Sequence, residues 1–289
     1  MNNQAGNDGT LTVYSENRAR NTVEAGSSTV IHTAGTTEIS MGSEGGSTHN
    51  TLSLIADSIP TASTHTSVLL EGGSDVTNTI QDQDTASASI TSNAQANLDF
   101  TGRNALLTLN QATTVNILSQ GGNTVVGGSG KLSFVADTGA SSDLIKAGSG
   151  AMTVDFSKAS SLGRETYVGQ KGGTSSLALT SGAGVTDISL VSESAATLLA
   201  GTGELNLTAA NAGGFSLDMT KALSGNLLLA AGLGDSNIAG LDGSRETAVI
   251  NGVQSYTFPE SGLTVSLNDR HSVMFSNVSS LLGITPLPC

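Results

Sequence analysis

Along nearly the whole chain, apolar and polar residues alternate in short runs. The series begins with "TLTVY" around Leu11, "STVIHT" around Val30, "NTLSLIAD" around Leu52 and "TSVLL" around Val68. It continues through "ALLTL" at Leu107, "TTVNIL" at Val115, "KLSFV" at Leu132, "AMTVDF" at Val154 and "ELNLT" at Leu205, and closes with "LTVSL" and "SVMFSN". A period of two sends successive side chains to opposite faces of an extended chain, so each run predicts a strand with one buried face. No window of twelve residues carries a good i, i+3, i+4, i+7 stripe, and Ser, Thr, Gly and Asn are poor helix-interior residues. The strand centres advance by roughly ten residues, with Gly, Asn or Asp in many of the gaps. The expected fold class is all-β.

One gap imitates a nucleotide site. "VVGGSGKLSF", Val125 to Phe134, has the outline of a phosphate-binding loop between a strand and a helix. A Walker A loop needs Gly, four residues, then Gly-Lys-Ser/Thr. Gly130 and Lys131 fit, but Val125 stands where the first glycine belongs and Leu132 where the hydroxyl is needed. The continuation "KLSFVAD" has strand period, not the helix N-terminus that would receive the phosphate. The pattern also recurs. "GSGKLSF" at Gly128 is followed twenty residues later by "GSGAMTV" at Gly148, and "GTGELNL" at Gly201 reads as a third copy. Lysine becomes Ala151 and then Glu204, an exchange that a phosphate site cannot accept but an outward position after a turn can. The glycines therefore read as turns that precede strands.

Short strands at regular spacing build a sandwich, a barrel or a solenoid. Strands rich in small residues, with one or two aliphatics facing inward, suit the narrow interior of a solenoid. The twenty-residue recurrence suggests one coil per two strands. The expectation is a single elongated β-solenoid, a parallel β-helix of roughly 20 residues per coil, with a β-sandwich as the alternative. Residues 1–20 read as an N-terminal polar cap or arm, 21–260 as solenoid repeats and 261–289 as a C-terminal cap and tail. The four prolines, Pro60, Pro259, Pro286 and Pro288, interrupt few of the runs, which favours extended pairing.

Composition narrows the function classes. Charged residues make up 12% and aromatic residues 3% of the chain, and tryptophan is absent. The formal net charge is −13, and between Arg20 and Arg103 nine acidic residues occur with no Lys or Arg. A nucleic-acid partner needs a basic face, so none is expected. Anionic membrane surfaces are disfavoured for the same reason. The richest apolar run, "GNLLLAAGLG", is too short to span a bilayer, so no membrane insertion is expected. The only cysteine is Cys289, which leaves no internal disulfide and no Cys-based metal site. "MNNQAGNDGT" shows neither a basic n-region nor an apolar h-region of a secretory leader.

Candidate catalytic groups do not assemble in the sequence. "GDSNIAG" at Gly234 is similar to the Gly-Asp-Ser block of a lipase and esterase family. Ser236 falls far too late in the chain, "DRH" (Asp269 to His271) is one residue short of that family's Asp-x-x-His, and no α/β alternation accompanies them. His32, His49, His65 and His271 lack metal-ligand spacing, although His49 and His65 could share a face in neighbouring coils. Asp82 and Asp84 in "QDQD" have the look of a glycosidase pair and read instead as a solvated turn. "TLT" at Thr10 and "THT" at Thr64 do not repeat at the coil spacing that an ice-binding face would need. The expectation is a protein that is not an enzyme.

The three Gly-Ser/Thr-Gly copies, "AGLGDSNIAGLDGS" from Ala231 to Ser244, and "GLTVSLNDRHSVMFSNVSSLLG" from Gly262 to Gly283 carry a resemblance. From about Gly121 onward the chain resembles the Gly/Ser/Thr-rich β-strand-repeat proteins secreted by bacteria, relatives of the repeats-in-toxin solenoids. The resemblance implies type I export without an N-terminal signal, through an uncleaved C-terminal signal in 261–289, and an extracellular or cell-surface location. It also implies calcium. In the family motif Gly-Gly-x-Gly-x-Asp-x-apolar-x, carbonyls and carboxylates of successive turns hold the ion. The candidates here are Asp235 and Asp242, although Asp235 is one place early and consecutive copies are missing. No other cofactor is expected. The functional expectation is an extracellular structural protein whose partner is itself, assembling into filaments or a surface or biofilm-matrix layer. The alternative is an adhesin or phage-type fibre module that binds a host glycan or receptor, with cell-surface polysaccharide as a further partner.

Overall fold

In the computed structural model the alternating runs become strands, and among the described residues there is no helix. The structure describes the strands given below, Val76 and, within 88–209, every residue except 94, 113, 141, 171–173, 175 and 192–195. Side chains are described for 51–54, 66–70, 76–82, the same parts of 88–209, 215–218 and the single positions 39, 226, 227 and 264.

The first strands are β1 (Asn2–Gln4), β2 (Thr10–Ser15), β3 (Asn21–Ala25), β4 (Ser28–Thr33), β5 (Thr36–Met41), β6 (His49–Ala56) and β7 (His65–Leu70). Next come β8 (Thr77–Gln83), β9 (Ala88–Ser92), β10 (Asn97–Gly102), β11 (Ala105–Leu109), β12 (Thr114–Ser119), β13 (Thr124–Val126) and β14 (Lys131–Ala136). They are followed by β15 (Leu144–Lys146), β16 (Met152–Asp155), β17 (Arg164–Val168), β18 (Leu177–Thr180), β19 (Val185–Leu190), β20 (Ala196–Leu199) and β21 (Glu204–Ala209). The last are β22 (Phe215–Asp218), β23 (Ser224–Leu229), β24 (Ser236–Ala239), β25 (Glu246–Ile250), β26 (Val253–Phe258), β27 (Leu263–Leu267) and β28 (Val273–Ser276).

Up to β24 the chain deals its strands alternately to two sheets. Odd strands enter a 15-stranded sheet A and even strands a 13-stranded sheet B. Each strand pairs in parallel with the strand two places on, so one coil contributes one strand to each sheet. This is a parallel β-solenoid of about 20 residues per coil. The coil length varies. Phe100 registers on Ile117, Leu132 on Met152 and Thr36 on His65: a short coil, an average one and a long one.

The alternation of the sequence is what fills the interior. In sheet A, Val68, Ile90, Leu107, Val125, Ile145, Tyr167, Ile188, Leu207 and Leu227 stack one on the next and are all buried. The facing ladder in sheet B runs Leu52, Ile80, Phe100, Ile117, Phe134, Val154, Leu179, Leu198 and Leu217. Each such burial stabilises the fold by about 1.5–3 kcal/mol. Phe134 meets Phe156 edge to face, with ring centroids 5.7 Å apart, a favoured aromatic geometry. The outward positions are mostly Ser, Thr, Asn and Asp.

The glycine turns come in two kinds. Gly128 and Gly130 lie between β13 and β14, and Gly148 and Gly150 between β15 and β16, so the first two copies stack at one corner. A Cβ on Gly148 would stand 2.1 Å from the Gly128 carbonyl oxygen, and one on Gly150 would stand 1.8 Å from that of Gly130. These backbones touch, and that contact is what glycine permits. Gly201 and Gly203, expected as a third copy of this turn, instead lie between β20 and β21. They occupy the opposite corner, over Gly182 and Gly184. Gly148 and Gly201 are therefore not separated by a whole number of coils.

The parallel pattern ends in a reversal. After β24 the chain forms β25 and β26 as an antiparallel pair, and β26 then pairs antiparallel with β27. β27 and β28 resume the coil on β23 and β24.

Candidate functional site

A column of buried polar groups lies at one corner, where sheet B hands over to sheet A. Inward positions just before or in the first two residues of β11, β13, β15, β17 and β19 form a column: Ala105, Asn123, Asp143, Glu165 and Thr186. All five are buried. Asn123, Asp143 and Glu165 meet backbone N–H groups of the coil before them at this corner.

Asn123 Oδ1 accepts from the Ala105 N–H at 2.9 Å, while its Nδ2 donates to the Gly102 carbonyl at 3.0 Å and to Ser119 Oγ at 2.7 Å. Asp143 Oδ1 accepts from the Asn123 N–H at 2.8 Å, and the Ser119 hydroxyl donates to the Asp143 carboxylate at 2.8 Å. Glu165 repeats the device one coil further. Its Oε2 accepts from the Asp143 N–H at 2.8 Å and its Oε1 from the Ser142 N–H at 3.0 Å. Thr186 Oγ1 then accepts from the Gly182 N–H at 3.3 Å. Each side chain thus satisfies a buried backbone donor, and an unmet donor there would cost about 1–3 kcal/mol. Gly122, with φ +73°, makes the tight corner below Asn123, and a Cβ there would collide with Asn104 Oδ1.

Two carboxyls on adjacent coils, 1% and 2% exposed, are electrostatically expensive. Desolvation raises the Asp143 pKa to about 6, against the lowering effect of the Asn123 N–H and the Ser119 hydroxyl. Desolvation raises Glu165 further, to about 7, and the neighbouring Asp143 charge adds to the rise. Such shifts often mark catalytic acids. Here both carboxyls are enclosed and hold backbone N–H groups, so their chemistry is to join coils.

The residues singled out in the sequence are dispersed. Asp82, expected in a solvated turn, is in β8 and only 2% exposed. It packs against Gly102, where a Cβ would come within 2.7 Å of its own Cβ and 2.8 Å of the Phe100 ring. Asp84 lies outside the described residues. So do Asp235 and Asp242, the calcium candidates, along with Asp269, Arg270, His271 and Cys289. Ser236 opens β24 in sheet B. His49 and His65, which the sequence allowed to share a face, fall on different sheets, in β6 and β7, and His32 is in β4. Thr66 of "THT" is buried, so that pair of threonines does not form an outward rank. Lys131 points outward from β14, as its exchange for Ala and Glu in the other copies implies.

The outer faces carry their own ladders. Asn226 donates to Asn206 at 3.1 Å, Asn206 to Asp187 at 3.1 Å and Asn116 to Asp99 at 2.7 Å, while Arg164 pairs with Asp187. A groove of about 380 Å³ crosses the corner beside Ser181, Thr202, Leu199 and Asp218. The buried column was not found from the sequence, although a signal existed. Asn123, Asp143 and Glu165 follow one another at intervals of one coil each; Asn123 and Asp143 directly precede a strand, and Glu165 is the second residue of one.

No protein-family profile, no curated protein and no solved structure matches the chain.

Proposed function

We propose that the protein is a structural, non-enzymatic component that works by associating with copies of itself, in filaments or in a surface layer outside a bacterial cell. The observation that carries this is how the fold uses its chemistry. The buried carboxyls Asp143 and Glu165 hold joints between coils, and the outward positions are mostly Ser, Thr, Asn and Asp. Among the described strands, β1, β2, β25 and β28 pair on one side only. β2 reads TLTVYS, with neither charge nor proline, and such an edge is a template for another chain. The extracellular location, export through a C-terminal signal and calcium at Asp235 and Asp242 come with the resemblance and belong to the same proposal.

Sedimentation velocity of the full chain over a hundredfold concentration range, with calcium or a chelator and at two salt levels, tests it. Mass should grow with concentration. A single-copy species under every condition would overturn it.

The groove beside Asp218 favours a second reading, a module that binds glycan. It predicts saturable binding on a glycan array that Asp218→Ala reduces at least tenfold, without open-ended association.

A further inference from the structure

The end of the stack is closed by the chain itself. Both edges of β27 are in use. Gly225 to Leu229 of β23 pair along one, and Gln254 to Phe258 of β26 along the other, so all five residues from Leu263 to Leu267 are paired twice. β25 covers the far side of β26, from Glu246 against Thr257 to Ile250 against Val253. The two residues between Ile250 and Val253 are Asn251 and Gly252, the pair that most favours a two-residue hairpin turn. Sequence and strand pairing therefore point independently to the same hairpin.

A further coil, of this chain or of a second copy, would need a free edge on each sheet at the same height. β27 offers none. Sheet A runs two strands past β27 in the order β27-β26-β25, whereas among the described residues sheet B ends at β28. At the usual strand spacing this makes a step of about 10 Å. A coil arriving at this end can add to one sheet but not to both.

We infer that the β25–β26 hairpin is a terminator of coil stacking, which denies β27 to an incoming second copy. Its biological meaning rests on the self-association proposed above. Copies then cannot stack on this end, and larger assemblies grow through other edges or the outer faces.

The test compares the full chain with two variants. One replaces residues 246–258 by a short Gly-Ser linker. The other carries Asn251→Pro with Gly252→Val, which removes the turn and leaves every strand residue in place. Circular dichroism reports folding, and sedimentation with negative-stain imaging reports size. Both variants should keep the β signal and form end-to-end filaments, with weight-average mass rising about tenfold or more as the β27 edge opens. A synthetic peptide of residues 246–258 should suppress that growth. Variants that fold and stay the size of the wild type would overturn the inference. So would loss of folding in both, because a terminator is not needed by the coils beneath it. Long axial filaments of the wild type would refute the terminator and leave self-association standing. A single-copy wild type with polymerising variants would do the reverse.

Discussion

Asn123, Asp143 and Glu165 show how much depends on side chains that a surface-minded reading passes over. Asn123 holds three partners through its side chain. Asn123→Ala should cost about 2–4 kcal/mol in denaturant unfolding, because it strands buried donors and acceptors. Asn116→Ala, which loses one exposed bond to Asp99, should change stability by less than about 0.5 kcal/mol. The carboxyls predict a pH dependence of definite sign. Their folded pKa values, about 6 and about 7, lie above the ordinary values of 3.8 and 4.5. The folded state therefore binds more protons than the unfolded chain between those limits. The contribution of this pair is fully present near pH 4 and is lost as pH rises through 6 and 7. The denaturation midpoint should fall from pH 5 to pH 8, and Glu165→Gln should flatten that slope while lowering stability at pH 5. An unchanged slope in that variant would remove Glu165 from the account. The sequence showed these residues only as polar punctuation before strands. Their burial follows from coil-on-coil register, which no local pattern encodes.

At the scale of elements, alternation made the strands legible, and the small inward residues with regular spacing made the solenoid legible. Leu107, Val125 and Ile145 stand in one ladder because each occupies the same place in its own run. What stayed hidden was the register. Coils differ in length, as the short one from Phe100 to Ile117 and the long one from Thr36 to His65 show, so similar turns need not stack. That is why "GTG" at Gly201 looked like the turn at Gly148 and lies at the opposite corner. The reversal at β25–β26 was signalled by Asn251-Gly252, but a chain read as uniform coils gives such a pair no special weight. Gly148→Ala should cost about 3 kcal/mol or more, since the new methyl meets backbone rather than a movable side chain. Ser149→Ala, at an exposed position of the same turn, should be nearly neutral. Equal costs for the two would mean that the corner backbones are not in contact.

For the whole molecule, the two ladders and the polar column have a common consequence: each coil is held mainly by its neighbours above and below. Cooperativity then passes along the stack, and an edge strand is the natural place for another chain to join. Cryo-electron microscopy of the full chain at rising concentration tests this most directly. The account predicts particles that meet at their ends or faces, with an axial repeat of about 4.8 Å between coils. Isolated single copies at every concentration, with the same repeat inside each, would contradict it.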